Sequence, residues 1–435
     1  MFEETNKTLV PNEWSLIRDI AFEELDLDKL DDLRANRNEL YREIYNIIRS
    51  AVNSRGIYLS TEESSRLCDM LCDEINGYGP LRELMEDESV SDILVNGPES
   101  IFVERFGKLE KTNKFFINNK QLTEVARRLV NRVGKNIDDT HPLVDARMPD
   151  GSRLNVVIPP VALDGASLSI RKFGKGKKSL GELVRFKSMN EAMANFLVIA
   201  AKCRMNIIVS GGTGSGKTTL LNALSQFIDN KERIVTLEDA AELRLQQPHV
   251  VRMETRIGGE EGRGRVTMRD LLVNSLRMRP DRIIVGECRG EEAFEMLQAM
   301  NTGHDGSMST LHANTPKDAL ARLESMVMMA QSEIPLSAIR RYITSAVNII
   351  IQAARLPDGS RKIMNITEIV GIESDQIVAQ DIFRFEVDEG RDFEGKLQGK
   401  FICNGLLKRS KVYENASYHE MTDSLTQLFN EQLLE

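Results

Sequence analysis

Apolar positions at Leu33, Leu40, Ile44, Ile47 and Ile48 recur three, four and seven residues apart among charged ones. That is the period of one helix face, and it predicts a helical bundle from Asp28 to about Gly77. Amphipathicity leaves its role open between a solvated appendage and a docking module for a partner. From Tyr78 to Phe173 the period changes to short alternating segments. Asp92-Ile93-Leu94-Val95-Asn96 and Ile101-Phe102-Val103-Glu104-Arg105 are separated by the turns Asn96-Gly97-Pro98 and Phe106-Gly107-Lys108, and Ser152 to Val157 and Ser167 to Arg171 are further strand candidates. This is the pattern of a small α/β domain. At Phe173-Gly174-Lys175-Gly176-Lys177-Lys178-Ser179 the periodicity disappears, as in a flexible linker. A DNA or lipid site on those lysines is the other reading, although three fall short of the usual basic cluster.

Beyond Ser179 helical stretches alternate with unbroken apolar runs: Met205 to Ser210, Arg233 to Glu238 and Arg282 to Glu287. Such runs suit parallel strands covered on both faces. Val347 to Arg355, the turn Pro357-Asp358-Gly359 and Ile363 to Ile369 read as a hairpin. The resulting division is a helical bundle over 1–76, a small α/β domain over 77–173, a linker over 174–179 and a larger domain of alternating helices and strands over 180–435. A chain of 435 residues is too long for one core, which agrees with several units.

Composition narrows the classes. A charged share of 28% beside 41% hydrophobic excludes a disordered or fibrous protein. The net charge of -9 argues against a whole-molecule field for nucleic acid, and no direct nucleic-acid contact is expected. The longest apolar runs fall short of a bilayer span, and the acidic start Met1-Phe2-Glu3-Glu4 has no apolar signal region, so a cytoplasmic protein is expected. The five scattered cysteines fit a reducing compartment. Cys68 and Cys72, one helical turn apart, read as core packing, with metal binding the alternative.

The chemistry begins directly after the strand ending at Ser210, where Gly211-Gly212-Thr213-Gly214-Ser215-Gly216-Lys217-Thr218 leads into a helical run from Thr219. This is a P-loop in its strand-loop-helix setting. Glycines let backbone N–H groups close around phosphate oxygens, and the helix N-terminus adds its dipole. Lys217 is expected at the β- and γ-phosphates of ATP, with the Thr218 hydroxyl on Mg²⁺. Glu238 and Glu287 end the next two core strands, so both are expected to face the P-loop. One can orient or deprotonate the attacking water while the other holds the magnesium shell; the alternative for each is an ordinary strand-end ion pair. Two of the five histidines, His304 and His312, stand in Thr302 to Asn314. Metal ligation, a packed core histidine and contact with the γ-phosphate region are all open readings for them.

Gly211 to Thr218, Arg233 to Glu242, Ile283 to Glu287 and Thr302 to His312 resemble, in order, the Walker A, aspartate box, atypical Walker B and histidine box of the type II/IV secretion ATPase superfamily. Asp92 to Gly97, Asp145 to Arg153, Arg282 to Gly290 and Ser309 to Asn314 are similar to the CpaF type, the motors of Tad (Flp) pili. The tetracysteine zinc module of many type II motors is absent. The resemblance implies an α/β protein in which a RecA-like P-loop ATPase domain with a mixed, mostly parallel sheet follows a small α/β (PAS-like) domain and an N-terminal helical bundle. It implies a homohexamer that hydrolyses MgATP at the cytoplasmic face of the inner membrane, bound there through platform proteins. It implies Glu238 as catalytic carboxylate and Glu287 near magnesium; Lys217, Glu287 and His312 are expected to act in catalysis with Glu238, His304 to touch phosphate, and Gly211 to Thr219 to form the nucleotide site. Arg147, Arg153 and Arg171 in the first domain and Arg263, Arg265, Arg277 and Arg279 in the second would touch phosphates within or across subunits, where a guanidinium stabilises transition-state charge. A conjugation-type motor and a nucleotide-binding scaffold without turnover are the alternatives to a pilus motor.

Overall fold

The computed structural model describes residues 11–24, 36–55, 59–75, 77–105, 107–173, 178–256, 258, 264–391, 395 and 397–432. The chain divides into two compact units, Met1–Lys175 and Gly176–Glu435.

The first unit opens with helices α1 (Pro11–Glu24), α2 (Arg37–Arg55) and α3 (Thr61–Ile75). Their apolar faces close one core around Ile17, Leu40, Ile44, Ile48, Leu67, Leu71 and Ile75. Cys68 and Cys72 are buried within it, and burial pushes their thiols up to about 12 and about 11. Among the described residues no group of three His, Cys, Asp or Glu side chains is placed to hold a metal ion, and both thiols lie in this core. The short α4 (Arg82–Glu86) leads into β1 (Val90–Asn96), β2 (Ile101–Arg105), β3 (Lys108–Lys111), α5 (Asn119–Asn131), β4 (Leu143–Arg147), β5 (Arg153–Val157) and β6 (Ser167–Arg171). Among the described residues the strands form an antiparallel sheet in the order β3-β2-β1-β6-β5-β4. Asn118 caps α5 by accepting the Gln121 N–H. The helix lays Leu122, Val125, Ala126 and Leu129 on Ile93, Val103, Leu154 and Ile170 of the sheet. Fully buried Glu74 of α3 joins α1 to α5, accepting from Arg18, Gln121 and Arg128.

The second unit contains α6 (Leu180–Arg185), α7 (Glu191–Lys202), β7 (Ile207–Gly211), α8 (Lys217–Ser225), β8 (Ile234–Glu238), β9 (Val250–Glu254), α9 (Met268–Ser275), β10 (Arg282–Val285), α10 (Glu292–Asn301), β11 (Met308–Leu311), α11 (Pro316–Ala330), α12 (Leu336–Ala346), β12 (Ile349–Arg355), β13 (Arg361–Glu373), β14 (Gln376–Arg391), β15 (Leu397–Cys403), α13 (Lys411–Tyr418) and α14 (Thr422–Gln432). Its sheet runs β15-β14-β13-β12-β7-β11-β10-β8-β9, parallel from β12 to β9 and antiparallel beyond β12. Every residue of β7, β8, β10 and β11 is buried. Successive side chains alternate between two cores: Ile207 and Val209 face Phe196, Leu221 and Phe429, whereas Ile208 faces Leu272, Leu297 and Leu323. Helices thus cover both faces, which is why these strands carry no polar alternation. Capping boxes at Ser179 with Glu182 and at Thr267 with Asp270 start α6 and α9.

The N-terminal edge of this sheet is held by Arg282, which is 1% exposed and bidentate to Glu232 at 2.7 and 2.8 Å. Its Nη1 also donates to the Ala201 carbonyl at 3.0 Å. Replacing Arg282 with alanine removes the bidentate pair from Glu232, whose remaining cation is Arg204 at 3.8 Å, and takes one donor from that carbonyl. The expected loss is about 3–5 kcal/mol of stability, read as a fall in the denaturant midpoint at unchanged slope.

Candidate functional site

The strands β8, β10, β11 and β7 lie side by side and parallel, so their carboxyl ends open on one crevice, the place where such sheets bind ligands. From β7 the chain passes through Gly212 to Gly216 into α8. Gly216 is the residue before the helix and has φ +95°, a conformation a side chain would strain. The first N–H groups of α8 lack partners within the helix and create a positive pole there. Thr218 and Thr219 lie in that first turn. Lys217 is buried, and its Nζ donates to the Gly211 and Gly212 carbonyls, each at 2.9 Å.

Two carboxylates stand at the carboxyl ends of the neighbouring strands β8 and β10. Glu238, the last residue of β8, is 3% exposed. Its Oε2 accepts the Glu242 and Leu243 N–H groups at 2.6 and 2.9 Å, while Oε1 is buried without a hydrogen bond. Burial pushes its carboxyl above the ordinary value, and the two backbone bonds only partly oppose this. A Cβ at position 286 would stand 2.8 Å from Glu238 Cγ, so the glycine there is what lets the acid lie against β10.

Glu287 follows β10 by two residues. Arg289 Nη2 donates to its Oε2 at 2.6 Å, and His312 Nε2 stands 2.8 Å from Oε1, although that approach lacks hydrogen-bond alignment. Burial works to raise the Glu287 carboxyl, but the Arg289 hydrogen bond and the charges of Arg289, His312 and Lys217 outweigh it and hold it below the usual value. Arg289 also lies 3.5 Å from Asp239, tying together the loops that follow β10 and β8. For His312 burial, followed by the charge of Lys217, lowers the imidazole's affinity for a proton more than Glu287 raises it. At neutral pH His312 is therefore an uncharged ring beside an ionised carboxylate. A buried ammonium, a helix pole and two differently tuned carboxylates suit the binding of a polyanion and the activation of a water.

The family of type II/IV secretion system proteins matches residues 74–426. This chain belongs to that family. It is an ATPase of the type II/IV secretion class, and it binds ATP. It is 36% identical over 299 residues to a putative conjugal transfer protein of Mycobacterium tuberculosis, covering 67% of this chain and 84% of that one. It is 32% identical over 328 residues to the type IV secretion system protein VirB11 of Bartonella quintana, covering 66% and 90%. Among solved structures, the ATPase DotB of Yersinia pseudotuberculosis overlays with a TM-score of 0.52 at 15% identity, covering 82% of this chain and 87% of that one, a likeness of fold.

Within this secretion ATPase Gly211 to Thr219, Glu238, Glu287 and His312 share the crevice. His304 does not. It precedes β11, whose other end carries His312, and its Nδ1 stands 3.2 Å from the Ala299 carbonyl. A parallel strand separates its two ends by its own length, so the expectation of a phosphate contact for His304 is corrected to a contact at the opposite edge. Arg277 and Arg279 likewise precede β10, are exposed, and lie at that same opposite edge. This removes them from their own chain's crevice. Arg265 is exposed beside Val266, which pairs with Arg256 beyond the end of β9. Arg263 lies outside the described residues.

In the first unit, register brings Arg147 opposite Arg153 and Arg153 opposite Arg171, a row of three guanidinium groups across β4, β5 and β6. Like charges directly opposed are unfavourable in a sheet. Two further arginines were not singled out by sequence reasoning. Arg289 braces Glu287, and Arg361, at the start of β13, donates from Nε to the Gly214 carbonyl of the P-loop at 2.8 Å. Nothing in sequence spacing signals the second, because a hairpin distant in sequence brings it there.

Proposed function

We propose that this chain is the hexameric, MgATP-hydrolysing motor of a secretion machine of the conjugal-transfer or type IV class. Relatives named for conjugal transfer and type IV secretion support that class over the Tad pilus motor suggested by the short motifs. The observation that carries hydrolysis is a pair of carboxylates at neighbouring strand ends, buried Glu238 and half-buried Glu287, whose Oε1 atoms take no hydrogen bond. Glu287 Oε1 and the Thr218 hydroxyl are hard oxygen donors of the kind that fits Mg²⁺. Thr218 and Glu287 would hold the ion, which when bound neutralises charge on the β- and γ-phosphate oxygens.

The chain's own residues then divide the work. Amides of the P-loop and of the first turn of α8 bind the phosphates, and Lys217 swings from its two carbonyls onto the β- and γ-oxygens. Glu238, with its raised proton affinity, accepts a proton from the attacking water at its open Oε1. Neutral His312, set against Glu287, donates to the γ-phosphate in this reading. The Arg147, Arg153 and Arg171 row is a second source of phosphate contacts, while Arg265, Arg277 and Arg279 are sources from a neighbouring subunit. Hydrolysis drives motion of the two units that is passed to inner-membrane platform proteins from the cytoplasmic side. Among the described residues no helix is long and apolar enough to cross a membrane.

The test is phosphate release by the purified chain with MgATP, beside its mass in solution with nucleotide. Turnover by a six-subunit particle is expected. A particle that binds ATP and never releases phosphate makes the chain a nucleotide-dependent scaffold. Copurification of the platform protein distinguishes a conjugation machine from a pilus machine.

A further inference from the structure

We propose that Gln352 is a positioning residue for ATP cleavage: from β12 it reaches past β7 and fixes the turn that carries His312. The proposal rests on the hydrolytic reading above and concerns a strand outside the four that bear the nucleotide motifs.

β7 lies between β12 and β11, and Ser210 is the register partner of Gln352 on one side and of Leu311 on the other. The three residues therefore stand abreast at the carboxyl edge. Gln352 is 2% exposed, and its Nε2 donates to the Ala313 carbonyl at 3.1 Å, with Ser210 Oγ approaching the same oxygen at 3.5 Å. Because that partner is a carbonyl, the amide must present its NH₂ to it, which fixes the orientation of the side chain. Strands β12 and β11 are two sheet spacings apart, roughly 10 Å, a gap a glutamine can help close and a shorter amide cannot.

The residue is out of place by packing rules. It interrupts the buried run Ile349-Ile350-Ile351, and its Oε1 is buried without a hydrogen bond. A buried amide oxygen left unpaired is unfavourable, and an apolar side chain would avoid it. Its gain is local: Ala313 directly follows His312, whose Nε2 stands 2.8 Å from Glu287. Three residues after Gln352 the same strand ends at Arg355, whose register partner Arg361 donates to Gly214 of the P-loop. One hairpin thus grips the P-loop through Arg361 and the histidine turn through Gln352. The distance from Lys217 to His312 becomes a property of that hairpin, and misplacement at this scale reduces cleavage far more than binding.

The test compares the full-length hexamer with Gln352→Met, which keeps length and shape and cannot donate. The kcat is expected to fall about tenfold with KM for ATP within about twofold. Backbone hydrogen exchange of the segment from Leu311 to Asn314 is expected to quicken, with exchange in α8 unchanged. Gln352→Met combined with His312→Ala is expected to be no slower than His312→Ala alone, since a residue acting only through His312 adds nothing once it is gone. Gln352→Asn, which keeps the amide and loses the reach, replaces the methionine variant should the latter not fold. Unchanged exchange, additive losses in the double variant, or a rise in KM equal to the fall in kcat would each overturn the proposal. A wild-type chain that releases no phosphate overturns the hydrolytic reading instead and leaves the exchange measurement to decide the hold on its own.

Discussion

Lys217→Ala is expected to reduce phosphate release by at least about 10²-fold, the scale of losing one preorganised electrostatic contact to a charged transition state. Lys217 is buried at the root of α8, so no solvent-exposed cation replaces it. Its removal also reaches the neighbouring groups. The Lys217 charge helps hold Glu287 below the usual carboxylate value and helps keep His312 unprotonated. Without it both groups bind protons more readily, and the pH at which His312 becomes charged moves up. The variant is therefore expected to lose more of its remaining activity between pH 7 and 6 than the wild type does. Steady-state phosphate release over that range, with binding of a fluorescent ATP analogue measured in parallel, checks both effects. Turnover within a factor of two of wild type would remove Lys217 from the reaction.

The P-loop was legible because its parts are contiguous: a fully buried strand, a glycine-rich turn and a helix start follow one another within Ile207 to Ser225. The apolar runs of β8 and β10 were legible for a related reason, since strands covered on both faces need no polar alternation. The extension β14–β15 was not read. It is half exposed, and its polar and apolar residues do not form a distinctive run. Nor was β9, an edge strand with no fully buried residue. At the site, sequence order misled for His304, because two histidines flanking one short strand necessarily end at opposite edges of the sheet. The row of Arg147, Arg153 and Arg171 shows the reverse case. Each was named separately, and only antiparallel register makes them neighbours. Arg289 and Gln352 went unassigned because each acts on a residue that chain folding, not spacing, brings to it.

Glu238→Gln is expected to lower kcat by about 10²–10⁴-fold, the range for losing a general base, while ATP still binds. The amide can keep an oxygen on the Glu242 and Leu243 N–H groups, so the loop after β8 is retained, but the atom replacing Oε1 can no longer take a proton. The stability change should have the opposite sign from the activity change. Burial raises the folded-state proton affinity of Glu238 above its unfolded value. Such a carboxyl favours the fold fully below the unfolded value near 4.5, and that contribution is lost as pH rises through the higher folded value. At pH 7 the wild type therefore keeps an unfavourable buried charge that glutamine removes. Thermal unfolding of Glu238→Gln at pH 7 is expected at or above the wild-type midpoint, and the difference should shrink as the pH is lowered toward 4.5. A variant that is both inactive and markedly less stable would mean that Glu238 acts as a brace for its loop, not as the base.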